Sequence, residues 1–282
     1  MGLRIKTNVP ALIAQRNLRT TRGNLDHTLE RLSSGLRINH AGDDAAGLAV
    51  SEILRAQNRG LAQAERNTQD GVSVVQIAEG ALSEVSNILI RLRELGVQAA
   101  SDTIGQTERQ FLNIEFQQSL AELDRIANGT EFNHVPLLNG SAGTFDVQVG
   151  IGNNPSLDRI ALFDANSADV GTVALGVNLA SVDDKISAQN SLASIDAAIA
   201  KVVSIRAHFG AVQNRLQTII NTNQISRENL STAISRIRDM DMAEETTELT
   251  KNQILMQSGI SVLGQANTTI KSALNLLGGS NG

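Results

Sequence analysis

Few residues of this chain have the types and spacing that catalysis or metal binding requires. The four histidines are scattered, and none belongs to an HExxH motif; they are His27, His40, His134 and His208. The chain has no cysteine, which excludes disulfides, thiol chemistry and cysteine-ligated zinc or iron–sulfur sites. This pattern favours a protein that is not an enzyme and that uses no cofactor or metal.

Two short patterns suggest chemistry but fit a simpler structural role. The stretch GIGNNP at 150–155 lacks the lysine and the helix that follow in a P-loop, which favours a turn. Asp43 and Asp44 are adjacent carboxylates, but a calcium loop needs more oxygen ligands. We expect Asp43 or Asp44 to cap the next helix, and Gly42 and Gly47 to supply backbone angles that other residues resist.

These residues join two helical patterns, and such patterns dominate both ends of the chain. The C-terminal heptad positions are Met242, Leu249, Met256, Leu263, Ile270 and Leu277, with Ile260 and Leu274 at the intermediate position. The N-terminal positions are Ala11, Leu18, Leu25 and Leu32. The C-terminal stripe widens at Leu255 and Val262, which indicates more than one partner helix. We therefore expect other copies of the same chain to cover the rest of it.

The middle of the chain combines long helical patterns with a short β region. A heptad register runs over 195–237, interrupted at Asn223, and its stripe shifts at the following RDMDM. Similar patterns predict helices over 44–98 and 107–127, the second capped by Thr107. The stripe of that second helix comprises Phe111, Ile114, Leu123 and Ile126. Alternation in TFDVQVGI and the apolar run in IGNNPSLDRIALF predict a small β-hairpin.

Charge and hydropathy exclude several other classes of function. The net charge is −5, and the basic residues of 1–43 are not interleaved with aromatics, which argues against nucleic-acid binding. Residues 1–43 carry a net +4 and residues 239–282 a net −3. The acids can favour a helix N-terminus through its dipole, and the two ends can also lie side by side, since these two interpretations are compatible. No apolar run is long enough to span a membrane, and the first residues lack the apolar core of a cleaved signal peptide.

Five segments, in this order, resemble bacterial flagellin. They are LSSGLRINHAGDDAAGLAV (32–50), RNTQDGVSVVQIAEGAL (66–82), RLRELGVQAAS (91–101), EFNHVPLLNG (131–140) and QILMQSGISVLGQAN (253–267). The resemblance implies a mostly α fold, in which long coiled-coil-like helices from both termini form an inner helical hairpin. It also implies an outer rod-like domain of helices with a small β-hairpin. Little chain remains for the large outer domains of many flagellins, so this chain resembles a short form.

On this resemblance the chain divides at the joint. Residues 1–43 and 239–282 are expected to form the inner domain, and residues 44–178 and 179–238 the outer one. Inner-core packing is assigned to Leu18, Leu25, Leu32, Leu249, Met256, Ile260, Leu263, Ile270, Leu274 and Leu277. The interdomain joint is assigned to His40, Gly42, Asp43, Asp44, Gly47, Asp239 and Asp241.

The resemblance also singles out residues for recognition. Arg91, Leu95 and Glu115 match positions by which many flagellins engage a toll-like innate receptor, and we expect Arg91 and Leu95 on one exposed helix face. His40 stands where the family pattern frequently has serine. Either it is a solvated histidine of the joint with no role, or its imidazolium is favoured by the neighbouring carboxylates of Asp43 and Asp44.

The implied function is structural. The chain is expected to self-assemble into the helical flagellar filament used for swimming, after secretion by the flagellar export route to the extracellular flagellum. Expected partners are other copies of itself, an export chaperone, the filament cap and hook-junction proteins, and not nucleic acid or membrane. The alternative is a hook–filament junction adaptor, which shares the terminal helices. A secreted enzyme or adhesin is disfavoured because the middle is short and poor in convergent polar groups.

Overall fold

The computed structural model describes residues 7–141, 143–164 and 168–278, with the backbone alone over 273–278. Its helices are α1 (Val9–Ser34), α2 (Ala45–Ala99), α3 (Gln106–Gly129), α4 (Pro155–Asp158), α5 (Thr172–Leu175), α6 (Lys185–Arg238) and α7 (Met242–Gly278). Its strands are β1 (Glu131–Phe132), β2 (Val135–Pro136), β3 (Thr144–Gln148) and β4 (Arg159–Asp164). The predicted mostly α fold with long terminal helices and a small β-hairpin region is confirmed.

Contacts divide the chain into two units. The first unit contains residues 1–56 and 230–282, and the second contains residues 57–229. Both boundaries fall inside continuous helices, α2 and α6. The first unit is thus built from two segments that are distant in sequence.

In the first unit, α1 packs antiparallel to α7. Asn8 caps α1, since its Oδ1 accepts the N–H of Ala11 at 3.1 Å, and its Nδ2 donates to the carbonyl of Ala266 in α7 at 3.2 Å. The helix ends at Gly35, whose φ of 72° lies in the left-handed region that favours glycine. The N–H of Gly35 donates to the carbonyl of Arg31 at 2.8 Å. Both ends of α1 are therefore fixed by local hydrogen bonds.

The segments after α1 and after α6 run against each other in the first unit. Leu36 and Asp239 form an isolated antiparallel β-bridge. The N–H of Arg37 donates to the carbonyl of Arg238 at 2.7 Å, and its Nη2 donates to the carbonyl of Ile237 at 2.7 Å. The shift of the apolar stripe at RDMDM coincides with the break between α6 and α7.

The second unit has a continuous apolar core. Its fully buried side chains from α2, α3 and α6 include Val75, Leu82, Leu89, Phe116, Leu123, Ile195, Val202, Phe209 and Leu216. The prediction for α3 was partly wrong, because Phe111 and Ile114 are exposed and the buried stripe is Phe116, Leu120, Leu123 and Ala127. Thr107 does not cap this helix either; Gly105 precedes it and makes no side-chain capping bond.

The predicted hairpin packs on this core. Strands β3 and β4 pair antiparallel with an irregularity between Phe145 and Asp146. The Phe163 ring of β4 meets the Phe209 ring of α6 edge-on, with 5.4 Å between centroids. Asn67 of α2 donates to the carbonyl of Gln148 at 3.2 Å, and Asn223 of α6 donates to the carbonyl of Val149 at 3.0 Å. The polar interruption of the long heptad register thus holds the hairpin.

Candidate functional site

The joint after α1 is organised by two carboxylates. Asp43 Oδ2 accepts the N–H groups of Asn39 and His40, each at 3.0 Å, and these bonds lower the pKa of Asp43 below its ordinary value of 3.8. Asp44 Oδ1 accepts the N–H of Gly47 at 2.9 Å and so caps α2. The predicted capping from this pair of residues is therefore made by Asp44, while Asp43 closes the preceding turn.

The two glycines of this joint do not act as predicted. Neither Gly42 nor Gly47 has a positive φ, and the left-handed residue of this region is Gly35. Gly47 is constrained by space instead, because a Cβ there would lie 2.9 Å from Ile38 Cδ1. Ile38 is almost fully buried, so it has little room to move away from such an atom.

His40 also has a different partner from the one predicted. Its Nε2 lies 2.6 Å from Glu30 Oε1 in α1, and only its backbone N–H meets Asp43. On the returning segment, Asp239 takes part in the bridge to Leu36. Asp241 Oδ1 accepts the N–H of Ala243 at 2.8 Å, which caps α7.

The contact between α1 and α7 is a narrow heptad seam. The less exposed positions of α1 are Ala11, Ala14, Leu18, Thr21, Leu25, Thr28 and Leu32. Those of α7 are Leu249, Asn252, Met256, Gly259, Leu263, Ala266 and Ile270. Both sets alternate steps of three and four residues. Most of these side chains remain partly exposed, so the seam alone is a weak core.

The predicted packing set needs a correction at the intermediate position. Ile260 is 58% exposed, and its neighbour Gly259 occupies the seam, where a Cβ would approach Leu18 Cδ2 to 2.7 Å. Met242 is also exposed. The close approach of α1 to α7 requires the residue without a side chain. The side chains of Leu274 and Leu277 lie outside the described residues.

Many large apolar side chains of this helix pair are uncovered. The uncovered apolar residues are Val9, Leu12, Ile13 and Leu29 on α1, and Ile254, Leu255, Ile260 and Val262 on α7. They flank the seam on more than one side, as expected from the widened stripe at Leu255 and Val262. Such a concentration of exposed apolar side chains is typical of a protein–protein interface.

A polar cleft of about 520 Å³, the acidic cleft, lies beside the seam near the joint. It is lined by Asn24, His27, Thr28, Arg31, Gly42, Asp43, Glu244, Glu245, Glu248 and Asn252. Within the described part of the chain, no cluster of three or more acidic, histidine or cysteine side chains has the arrangement of a metal site.

The three residues matched to receptor recognition separate into two environments. Arg91 and Glu115 are exposed and form an ion pair at 2.6 Å, and Glu115 raises the pKa of Arg91. Leu95 is fully buried. The expectation that Arg91 and Leu95 share an exposed face is wrong, because Leu95 continues the buried series of Leu92 and Ala99.

Comparison with known proteins assigns the family. A model of the bacterial flagellin N-terminal helical region matches residues 5–143, and one of the bacterial flagellin C-terminal helical region matches residues 192–277. The chain belongs to the bacterial flagellin family. It is 43% identical to a flagellin of Halalkalibacterium halodurans, over 97% of this chain and 99% of that protein.

Two other flagellar proteins are also similar to this chain. A Treponema phagedenis protein named flagellar filament 33 kDa core protein is 43% identical, over 97% of this chain and 99% of that one. A solved structure from Vibrio parahaemolyticus, described as flagellar hook-associated, has a TM-score of 0.56 at 15% identity, covering 70% of this chain and all of that one. That last likeness concerns the fold alone. Among the described helices of this flagellin-family chain, none has the length and apolar character to cross a membrane.

Sequence reasoning missed two residues of the terminal helix pair. Asn252 and Gly259 occupy seam positions where an apolar side chain is the usual expectation. The alternating spacing from Leu249 and Met256 would have located both, had the register been followed without regard to hydropathy.

Proposed function

We propose that this chain is the structural subunit of a bacterial flagellar filament, a helical homopolymer used for swimming. Copies assemble through the helix pair of α1 and α7. The family is one of structural proteins, and we infer that the subunit acts without catalysis, as a self-assembling building block. The terminal pair supplies the surface on which neighbouring copies pack.

The observation that carries this proposal is the set of uncovered apolar residues. A two-helix seam buries one narrow stripe, and Leu255 and Val262 remain more than 45% exposed beside it. Each such side chain gains about 1.5–3 kcal/mol when fully buried. Neighbouring copies on both sides of the pair would supply that burial.

The test is polymerisation of the full chain from sheared filament seeds. Leu255→Asp places a charge where a neighbouring copy packs, so we expect filament growth to stop while the far-ultraviolet circular dichroism of the monomer is unchanged. Leu255→Met is the matched control, because it keeps the apolar surface and should elongate normally. Light scattering measures growth, and electron microscopy shows the product.

The same experiment distinguishes a filament subunit from a hook–filament junction adaptor. A junction adaptor does not elongate on its own, so wild-type protein that forms only short oligomers would favour the adaptor and contradict the filament proposal. Long filaments from wild-type protein, together with normal growth of Leu255→Asp, would instead place the assembly surface elsewhere.

Further partners are proposed from the family resemblance. The subunit would leave the cell through the flagellar export route, bound first to an export chaperone. It would meet hook-junction proteins at the base of the filament and the cap at its tip. A chaperone-binding assay on monomer, with α7 peptides as competitors, tests the first of these contacts.

Recognition of the monomer by a toll-like innate receptor is proposed at the exposed pair of Arg91 and Glu115. Their side chains are half exposed, so a receptor could exchange this ion pair for its own contacts. We expect Arg91→Ala to lower the response of a receptor reporter assay. Arg93→Ala, which removes a similarly exposed arginine paired with Asp196, is the matched control.

A further inference from the structure

The acidic cleft carries more negative charge than its surroundings neutralise. Its four carboxylates are Asp43, Glu244, Glu245 and Glu248. The basic groups that face them are the guanidinium of Arg31, the imidazole of His27 and the ammonium of Lys251, which pairs with Glu248 at 2.9 Å. Glu244 and Glu245 form no ion pair with any described residue. The cleft is therefore open to a further cationic group.

A second feature of the cleft indicates a missing partner. Asn252 lines the cleft and is only 5% exposed, yet its side chain forms no hydrogen bond with the described residues. Its amide is not among the fully buried, unpartnered groups of the described residues, so the amide opens onto the cleft. Asn252 also occupies a seam position where a leucine would pack better. Its carbonyl oxygen can accept a hydrogen bond from a donor that enters the cleft.

The same helix pair carries three exposed arginine side chains on α1. Arg16, Arg19 and Arg22 are exposed on α1, and none of them forms an ion pair within the described residues. Gly259 lies level with Leu18, so the glutamates of α7 are roughly 17–22 Å further along the pair at 1.5 Å per residue. Arg16 lies beyond Leu18 on the side away from these glutamates, whereas Arg22 is two residues from Asn24 at the edge of the cleft. None of the three arginines pairs with a described carboxylate of its own chain.

We propose that the acidic cleft receives an arginine from the Arg16, Arg19 and Arg22 series of a second copy of this chain. The proposal rests on the proposed function and specifies how neighbouring copies align. A guanidinium presents several N–H donors in one plane, which suits Glu245 and the Asn252 carbonyl together. A copy displaced along the helix axis brings the two charged regions into contact. The charge contact sets the displacement, and the uncovered apolar residues supply the burial.

The test is charge reversal in the full chain, read out as the critical monomer concentration for growth from sheared seeds. Glu245→Arg is expected to raise that concentration by about tenfold or more, as for other truncated interfacial charge pairs. Arg19→Glu should do the same. A mixed-reversal series combines Glu245→Arg with Arg16→Glu, Arg19→Glu or Arg22→Glu, and at least one combination should return the concentration to near the wild-type value.

Two controls identify the cause of any loss. Glu84→Arg and Arg215→Glu reverse exposed charges of the second unit and should change the critical concentration less than about twofold. Circular dichroism of each monomer checks that helix content is kept. Arg19→Lys keeps the positive charge but removes the planar guanidinium, and should raise the critical concentration by an intermediate amount.

The outcomes separate this proposal from the function on which it rests. Growth that stops in Leu255→Asp but continues in Glu245→Arg would keep the filament and overturn the cleft contact. Failure of every combination to rescue Glu245→Arg would also overturn it. If a chelator reproduced the Glu245→Arg loss in wild-type protein, the occupant would be a divalent cation, and the proposal would be wrong. Wild-type protein that never elongates would overturn both proposals.

Discussion

The two units of this chain use the same heptad pattern with opposite results. In the second unit the heptad residues of α2 and α6 are buried, and α3 and the hairpin complete the core. In the first unit the corresponding residues of α1 and α7 stay partly exposed, and the seam includes Thr21, Asn252 and Gly259. A heptad pattern therefore predicts a helix and its contacting side, while burial depends on how many partner helices one chain supplies.

The largest expected difference comes from deleting one core side chain in each unit. Phe209→Ala removes a fully buried ring that contacts Phe163, so we expect unfolding free energy to fall by about 3–5 kcal/mol. Leu25→Ala in the half-buried seam should cost about 1 kcal/mol. Denaturant unfolding of monomers measures both, with exposed Phe111→Ala as control. Equal losses for Phe209→Ala and Leu25→Ala would contradict the comparison.

The two buried asparagines should respond in opposite directions. Asn223 donates to Val149, so Asn223→Leu leaves that carbonyl unpaired and should destabilise the second unit by about 1–3 kcal/mol. Asn252→Leu places an apolar side chain at a seam position and should stabilise the monomer. Thermal unfolding followed at 222 nm tests the pair. A stabilised Asn252→Leu monomer that polymerises poorly would also support the cleft contact.

Two helical glycines provide a smaller and closely matched test. A Cβ at Gly23 of α1 or at Gly210 of α6 would meet no atom within 4 Å. Alanine at either position should favour its helix by about 1 kcal/mol. We expect Gly210→Ala to raise the midpoint of the main unfolding transition. Gly23→Ala should protect the α1 amides further against hydrogen exchange without changing that midpoint. Hydrogen exchange distinguishes these results, and a common shift would indicate one cooperative unit.

The smallest expected effect concerns acid. Because the pKa of Asp43 is lowered in the folded chain, its contribution is complete at neutral pH and is lost as the pH falls through the folded pKa, below the ordinary value of 3.8. The amides of Asn39 and His40, which donate to Asp43, should then lose protection. In Asp43→Asn this pH dependence should weaken, while Glu52, whose pKa is lowered chiefly by Arg238, keeps part of the acid response of the unit. Asp26→Asn serves as the control.

The sequence patterns located the helices and the joint but did not predict how far each side chain is buried. The steps of seven found Leu249, Met256 and Leu263, yet hydropathy favoured Ile260 where the seam contains Gly259. Where two helices approach closely, the position requires glycine, and a hydropathy scale does not identify such a position. Leu95 was placed on a surface by resemblance, whereas its spacing from Leu92 and Ala99 indicates the core. Capping by Asp43 or Asp44 was foreseen because local spacing determines it, and the structure assigns it to Asp44. The pairing of His40 with Glu30 depends on tertiary structure.

The two asparagine bonds to the hairpin have a mechanical consequence for the second unit. Asn67 of α2 and Asn223 of α6 donate to the adjacent carbonyls of Gln148 and Val149. Sliding α2 past α6 by one turn, about 5.4 Å, would break at least one of these bonds. The side-chain amide of Asn67 or Asn223 would then lie under the hairpin without its acceptor. The two hydrogen bonds therefore resist sliding of α2 along α6. Under torsional load these two long helices would bend together before they slipped.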